Sequence, residues 1–229
     1  MPSRQMIPEL EETLWFPDPR QAWKGEPADG LVAVGGDLSP ERLALAYRSG
    51  IFPWTIDPIT WWSPDPRAII PLNSLHVSRS LTKVLRRGRF AITQNQAFRE
   101  VMHGCAEPRN DGEETWIGDE FIEAYCALHR QGLAHSVEVW QETRLVGGIY
   151  GVAIGGLFAG ESMFHCVDSA SKVALVTLVD RLRLKGFQLF DIQMLTPITE
   201  QMGAIEIPRE DYLARLARAV TNPETANLR

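Results

Sequence analysis

Apolar and polar positions along this chain change rhythm near residue 67. Before that point no period is sustained, because Pro8, Pro17, Pro19, Pro27, Pro40, Pro53, Pro58, Pro64 and Pro66 break any long element. One helix stands out. Ser39 is a good N-cap, Pro40 suits the first helical position, Leu43, Ala46 and Tyr47 follow, and Gly50 ends it. Residues 1–67, rich in proline and tryptophan, therefore read as a small loop-rich lobe.

Residues 68–229 are periodic. A short apolar segment, Ala68–Leu72, precedes a helix over Ser78–Arg89, a strand near Phe90–Thr93 and a helix near Gln96–Cys105. Gly118–Gln131 predicts a helix carrying Phe121, Ile122, Tyr125 and Leu128 on one face. Strands over Ser136–Gln141, Leu145–Ile154 and Leu157–Phe164 follow, joined by tight turns at Glu142–Arg144 and Gly155–Gly156. A helix over Ser169–Lys185, a strand over Gln188–Gln193 and a helix over Arg209–Val220 come next. This order indicates an α+β fold. Its larger part, residues 68–229, should hold a mixed, largely antiparallel sheet flanked by helices, compatible with an acetyltransferase-like (GNAT) domain.

Composition changes this picture little. With 229 residues, 45% hydrophobic and 23% charged, the chain can bury a sizeable core. No stretch approaches the roughly 20 apolar residues of a spanning helix, and Met1–Leu10 lacks a basic region followed by an apolar run, so a cytoplasmic protein without a membrane partner is expected. Cys105, Cys126 and Cys166 lie far apart and read as buried small hydrophobes in a reducing compartment. The net charge of -6 argues against coating nucleic acid with the whole surface. A local patch remains: Arg79, Lys83, Arg86, Arg87 and Arg89 could meet several phosphates, or simply solvate a helix face.

Candidate chemistry falls into three groups. Asp191 and Gln193 alternate at the end of a strand, where ligand crevices often open, although an Asp capping the next loop is equally ordinary. Glu161 and Met163 alternate on another strand, and Ile149, Gly151 and Ala153 on its neighbour could share their side, leaving an apolar hollow with a carboxylate at its edge. That carboxylate could hold an ammonium group or pair with a nearby Arg or Lys. Trp54, Trp61, Trp62, Trp116, Tyr47 and Tyr125 could stack on unpaired bases or serve as plain core. No two histidines take metal-ligand spacing on one helix, so no metal is expected.

Several runs taken together are more specific. Val34-Gly-Gly-Asp-Leu-Ser39, Ala46-Tyr-Arg-Ser-Gly-Ile-Phe-Pro-Trp54 and Trp61-Trp-Ser-Pro-Asp-Pro-Arg67 resemble the N-terminal signature of bacterial leucyl/phenylalanyl-tRNA-protein transferases. Thr115-Trp-Ile117, Ala134-His-Ser-Val-Glu138, Leu145-Val-Gly-Gly148, Gly160-Glu-Ser-Met-Phe164 and Ala170-Ser-Lys-Val-Ala-Leu175 follow in that family's order. The resemblance implies a small N-terminal lobe on a GNAT-like domain, with no metal and no acetyl-CoA. It implies transfer of Leu or Phe, and by pocket shape Met, from aminoacyl-tRNA to proteins beginning with Arg or Lys, marking them for degradation by the N-end rule. The enzyme is expected to act as a monomer.

By the same resemblance Asp191 and Gln193 are the catalytic pair. Trp54 and Trp116 contact the terminal adenosine, Tyr47 and Tyr125 line that cleft, Ile149 and Met163 border the amino-acid pocket beside Glu161, and Arg79 to Arg89 meet the acceptor stem. Three positions depart from the family's pattern. Ile192 replaces a cysteine and should point away from the site, Ile198-Thr199 replaces His-Leu, and Ile149 stands where methionine is common. An acetyl-CoA-dependent N-acetyltransferase and a non-catalytic tRNA-binding module are the rival readings; against the first, no Gln/Arg-x-x-Gly-x-Gly/Ala turn is present to cradle pyrophosphate.

Overall fold

The computed structural model describes residues 6–108, 115–222 and 228. Two sheets organise it. The first has the strand order β1-β2-β4-β3, from β1 (Glu9–Leu10), β2 (Leu31–Gly35), β3 (Phe52–Ile56) and β4 (Ile59–Trp62). Its prolines made this region read as loops, yet the strands are short enough to fit between them. Pro53 lies within β3, which is an edge strand and pairs with β4 alone, so its missing N–H interrupts little. Helix α1 (Pro40–Arg48) starts as expected, with Ser39 Oγ accepting the Arg42 amide at 3.3 Å, and buries Leu43, Ala46 and Tyr47.

The other helices are α2 (Arg79–Arg87), α3 (Phe98–Ala106), α4 (Asp119–Gln131), α5 (Ala170–Leu184), α6 (Pro197–Gln201) and α7 (Arg209–Ala219). The second sheet combines β5 (Arg67–Ile69), β6 (Ala91–Gln94), β7 (Ala134–Gln141), β8 (Arg144–Ile154), β9 (Leu157–His165), β10 (Leu189–Gln193) and β11 (Ile205–Ile207). Its order is β11-β5-β10-β9-β8-β7-β6, and every neighbouring pair is antiparallel except β9 and β10, which α5 connects. The α+β class with a mixed, largely antiparallel sheet follows directly. Among the described elements from β5 onward, three escaped the periodicity: α6, β11 and the strand character of β5. Elements of three to five residues expose too few positions for a period to show.

Alternation along β8 divides the core. Tyr150, Val152 and Ile154 join α3, α4, α1 and the first sheet, whereas Ile149 and Ala153 join α5 on the opposite face. The first sheet and α1 thus share a core with α3 and α4. Cys105 and Cys126 are buried as expected, but Cys166 is exposed just beyond β9. No helix among the described residues is long and apolar enough to cross a membrane.

Candidate active site

Strands β9 and β10 run in register only as far as Ala159 and Asp191. Beyond that point both depart from a regular ladder. On β9, Gly160 faces Gly151 while Ser162 faces Tyr150, so Glu161 is the extra residue of a bulge. On β10 the register with β5 shifts between Asp191 and Gln193, and Gln193 adopts a φ of 57°. That left-handed conformation costs a non-glycine residue on the order of 1 to 3 kcal/mol and is commonest where function requires it. The crevice therefore opens where the parallel pairing of β9 and β10 stops, at the carboxyl end of β10.

The crevice holds two adjoining spaces. An apolar hollow of about 430 Å³ is lined by Ile70, Ile149, Met163, Leu175, Phe190 and Ile198, among others. A smaller space of about 220 Å³ is bordered by Phe52, Pro53 and Trp54 of β3 and by Gln193. Trp116, Glu161, Ile192, Met194 and Thr196 line both. Ile192 therefore faces the site instead of pointing away, because the bulge at the end of β10 breaks the alternation on which that expectation rested. Ile149 and Met163 are cross-strand partners, as their spacing suggested.

Asp191 lines neither space. Its carboxylate is 1% exposed, and protein donors surround it: Arg67 Nε at 2.9 Å and the Gln193 amide at 3.0 Å on Oδ1, Arg67 Nη2 at 2.7 Å and the Tyr212 hydroxyl at 2.8 Å on Oδ2. Arg67 is equally buried, and its guanidinium lies over the rings of Phe52 and Tyr212 and donates to the Gly50 carbonyl. Burial alone would lower the Arg67 pKa, but the Asp191 carboxylate outweighs it and holds the cation firmly charged. Asp191 thus sets the strained backbone of Gln193 and has no spare face toward the crevice. Sequence reasoning missed Arg67 and Tyr212. Arg67 does close a quoted motif, whereas nothing distinguishes Tyr212.

The Gln193 side chain turns from Asp191 to Glu161, Nε2 donating to Oε1 at 2.9 Å. Glu161 also accepts from the Tyr125 hydroxyl at 3.2 Å, and Tyr125 in turn hydrogen-bonds Tyr47. Its partners are thus neutral groups rather than an Arg or Lys. Burial pushes the Glu161 carboxyl up to about 7; the hydroxyls of Tyr47 and Tyr125 and the charge of Arg67 oppose the rise, and Asp191 adds to it. Tyr47 and Tyr125 are 2% and 0% exposed, so they stand behind Glu161 and do not line the cleft. Each is on the inward face of its helix where α1 meets α4, and burial raises both phenol pKa values.

Trp54 and Trp116 both border the smaller space. Trp54 packs edge-on against Trp62 at 5.5 Å, and Trp116 against Phe121 at 5.2 Å. Trp61 is fully buried and its indole donates to the Gly35 carbonyl, so it is core. Arg79, Lys83, Arg86, Arg87 and Arg89 are exposed on α2 and just after it, line neither space, and have no carboxylate within 4.0 Å among the described residues. Ser78 caps that helix and Gly88 ends it at a φ of 60°. Among the described residues no group of three or more His, Cys, Asp or Glu is placed to hold a metal ion.

Residues 69–217 match the family described as leucyl/phenylalanyl-tRNA protein transferase, and residues 36–65 match the N-terminal domain of the same family. A leucyl/phenylalanyl-tRNA–protein transferase of Syntrophotalea carbinolica is 51% identical over 228 residues, covering 98% of this chain and 96% of its own. The Pseudomonas putida protein of that name is 51% identical over 223 residues, covering 96% and 94%. Solved structures align more loosely. A ribosomal-protein-alanine N-acetyltransferase from Brucella melitensis has a TM-score of 0.34 at 16% identity, over 48% of this chain and 82% of its own. The L-PGS structure from Bacillus licheniformis has a TM-score of 0.42 at 13% identity, over 73% and 54%.

Proposed function

This chain belongs to the leucyl/phenylalanyl-tRNA protein transferase family, and on that premise we propose how its crevice carries out aminoacyl transfer. The protein is an enzyme, an aminoacyltransferase acting on aminoacyl-tRNA and a protein. The observation that carries the assignment of roles is the meeting of an apolar hollow and a tryptophan-walled space at Glu161, with Gln193 beside it. The donor side chain, Leu, Phe or Met, fills the hollow. Its terminal adenosine lies between Trp54 and Trp116, which sets the ester beside Gln193. The cations of α2 meet phosphates of the acceptor stem. Residues 1–67 form the lobe that presents Trp54, and residues 68–229 the transferase domain.

The α-amine of an acceptor beginning with Arg or Lys attacks the ester carbonyl. A peptide C–N bond forms, the C–O bond to the ribose breaks, and the ribose oxygen takes up a proton. With a pKa of about 8, an α-amine is appreciably neutral near pH 7, so positioning dominates and can contribute roughly 7 to 11 kcal/mol. Because Gln193 Nε2 is held by Glu161, the amide oxygen is oriented to accept an N–H of the amine. Glu161, with a pKa near 7, takes the proton the amine loses and returns it to the leaving oxygen. Asp191 is a positioning residue, acting through the Gln193 backbone. Modified acceptors are marked for degradation in the cytoplasm, and the enzyme works as a monomer.

Transfer of labelled leucine from Leu-tRNA to a protein beginning with Arg tests this scheme. Gln193→Ala should slow single-turnover transfer on the order of 100-fold at saturating tRNA. An unchanged rate would remove Gln193 from the mechanism.

A further inference from the structure

The apolar hollow does not end against solid core. Met163 and Ile198 form part of its wall, and the same two residues line a second cavity of about 320 Å³. No other described residue borders both. The second cavity lies among the end of α3, the end of β9 and the start of α5, and its chemistry differs: Glu107, His165 and Ser171 face it, with His165 Nδ1 and Ser171 Oγ 3.3 Å apart. Met163 and Ile198 thus stand between an apolar space and one with more polar groups in its lining.

Ile198 is held in place by a short but well-tied helix. Thr196 and Thr199 form a reciprocal capping box, Pro197 starts α6, and the carbonyl of Met202 just after it accepts the His76 amide at 2.9 Å. The side chain of Ile198 is itself half-buried, so shortening it removes a partition without removing a keystone of the core.

We propose that Ile198, with Met163, closes the far end of the donor pocket and sets the largest side chain it accepts. This rests on the reading of the hollow as the donor pocket. Opening the partition joins the hollow to the polar cavity, so a longer donor with a polar tip, such as tryptophan with its indole N–H, gains room and a hydrogen-bonding environment. Leucine, shorter and without a polar tip, gains less from the added room.

The test uses one tRNA charged with Leu, Phe or Trp, an acceptor protein beginning with Arg, and unreactive adenosine 3′-amides of Leu and Trp as binding probes. Ile198→Ala should raise the Trp-to-Leu ratio of kcat/KM, and the matching ratio of affinities, on the order of 10-fold. Ile198→Phe, which thickens the partition, should lower transfer of Phe relative to Leu. Unchanged ratios in Ile198→Ala overturn the proposal. If that variant neither binds nor transfers, Ile198→Val decides: a shift in the same direction, up to the roughly 10-fold that one methylene gives at the low end, supports the partition, and no shift overturns it. A wild type that binds the Leu amide but transfers no leucine refutes the catalytic reading alone, since the affinity ratios still judge the partition. Failure to bind either amide overturns both.

Discussion

Replacing Asp191 by Asn changes one atom and one charge, and the surroundings of Asp191 determine what that costs. Four donors converge on the carboxylate at 2.7 to 3.0 Å, two of them from a guanidinium that is itself 1% exposed. An asparagine oxygen can satisfy one side of this set, but its amide group then turns a donor toward the others. Arg67 is left charged and buried without its carboxylate. Removing one partner of a buried ion pair typically costs about 3 to 5 kcal/mol, set against a total stability of about 5 to 15 kcal/mol. For a chain of this size each kcal/mol lowers the melting temperature by about 2 to 4 °C, so Asp191→Asn should melt roughly 10 °C lower.

The assay is thermal unfolding alongside single-turnover transfer at low temperature, where the variant stays folded. Transfer should be slower at every pH, with the rising limb kept but its midpoint moved down, because Asp191 acts through the Gln193 backbone while its charge helps to raise the Glu161 pKa. The double variant Arg67→Met/Asp191→Leu should be more stable than Asp191→Asn and remain slow. The reasoning fails if Asp191→Asn melts like the wild type while its pH profile loses a limb, since Asp191 would then titrate in the reaction.

Further outcomes follow from the same geometry. Transfer by the wild type should rise with pH through about 7 as Glu161 loses its proton, and Glu161→Gln should abolish that limb in a pH–rate series. The same carboxyl affects stability with a definite sign. Because its folded pKa lies above the unfolded value, its contribution is full below the unfolded pKa and is lost as pH rises through about 7. Urea titrations at pH 5 and pH 8 should therefore show a fall of about 3 kcal/mol that Glu161→Gln largely removes. Trp116→Ala should weaken binding of an adenosine 3′-amide of leucine by about 5- to 150-fold in calorimetry, the usual range for loss of one stacking ring. Arg86→Glu/Arg87→Glu should weaken binding of full-length aminoacyl-tRNA and flatten its salt dependence, while leaving affinity for that small amide unaffected.

Local patterns in the sequence determined the parts governed by near neighbours. Ser39-Pro40 and Ser78 start helices because a hydroxyl caps orphan amides within three residues. The meander from Ala134 to His165 shows because each strand is long enough for its apolar positions to mark one face. The family was legible for a related reason: its motifs are contiguous runs. Tertiary structure decided what distant segments do to one another. Arg67 and Asp191 lie 124 positions apart, and no pattern announces that one saturates the other. Strand alternation put Asp191 and Gln193 on one face and turned Ile192 away, but paired bulges, which only the strands on either side can impose, sent Asp191 into the interior and Ile192 into the crevice. Tyr47 and Tyr125 meet behind Glu161 because two helices from different parts of the chain pack there, and the low polarity of that junction moves the Glu161 proton into the range where an amine can use it.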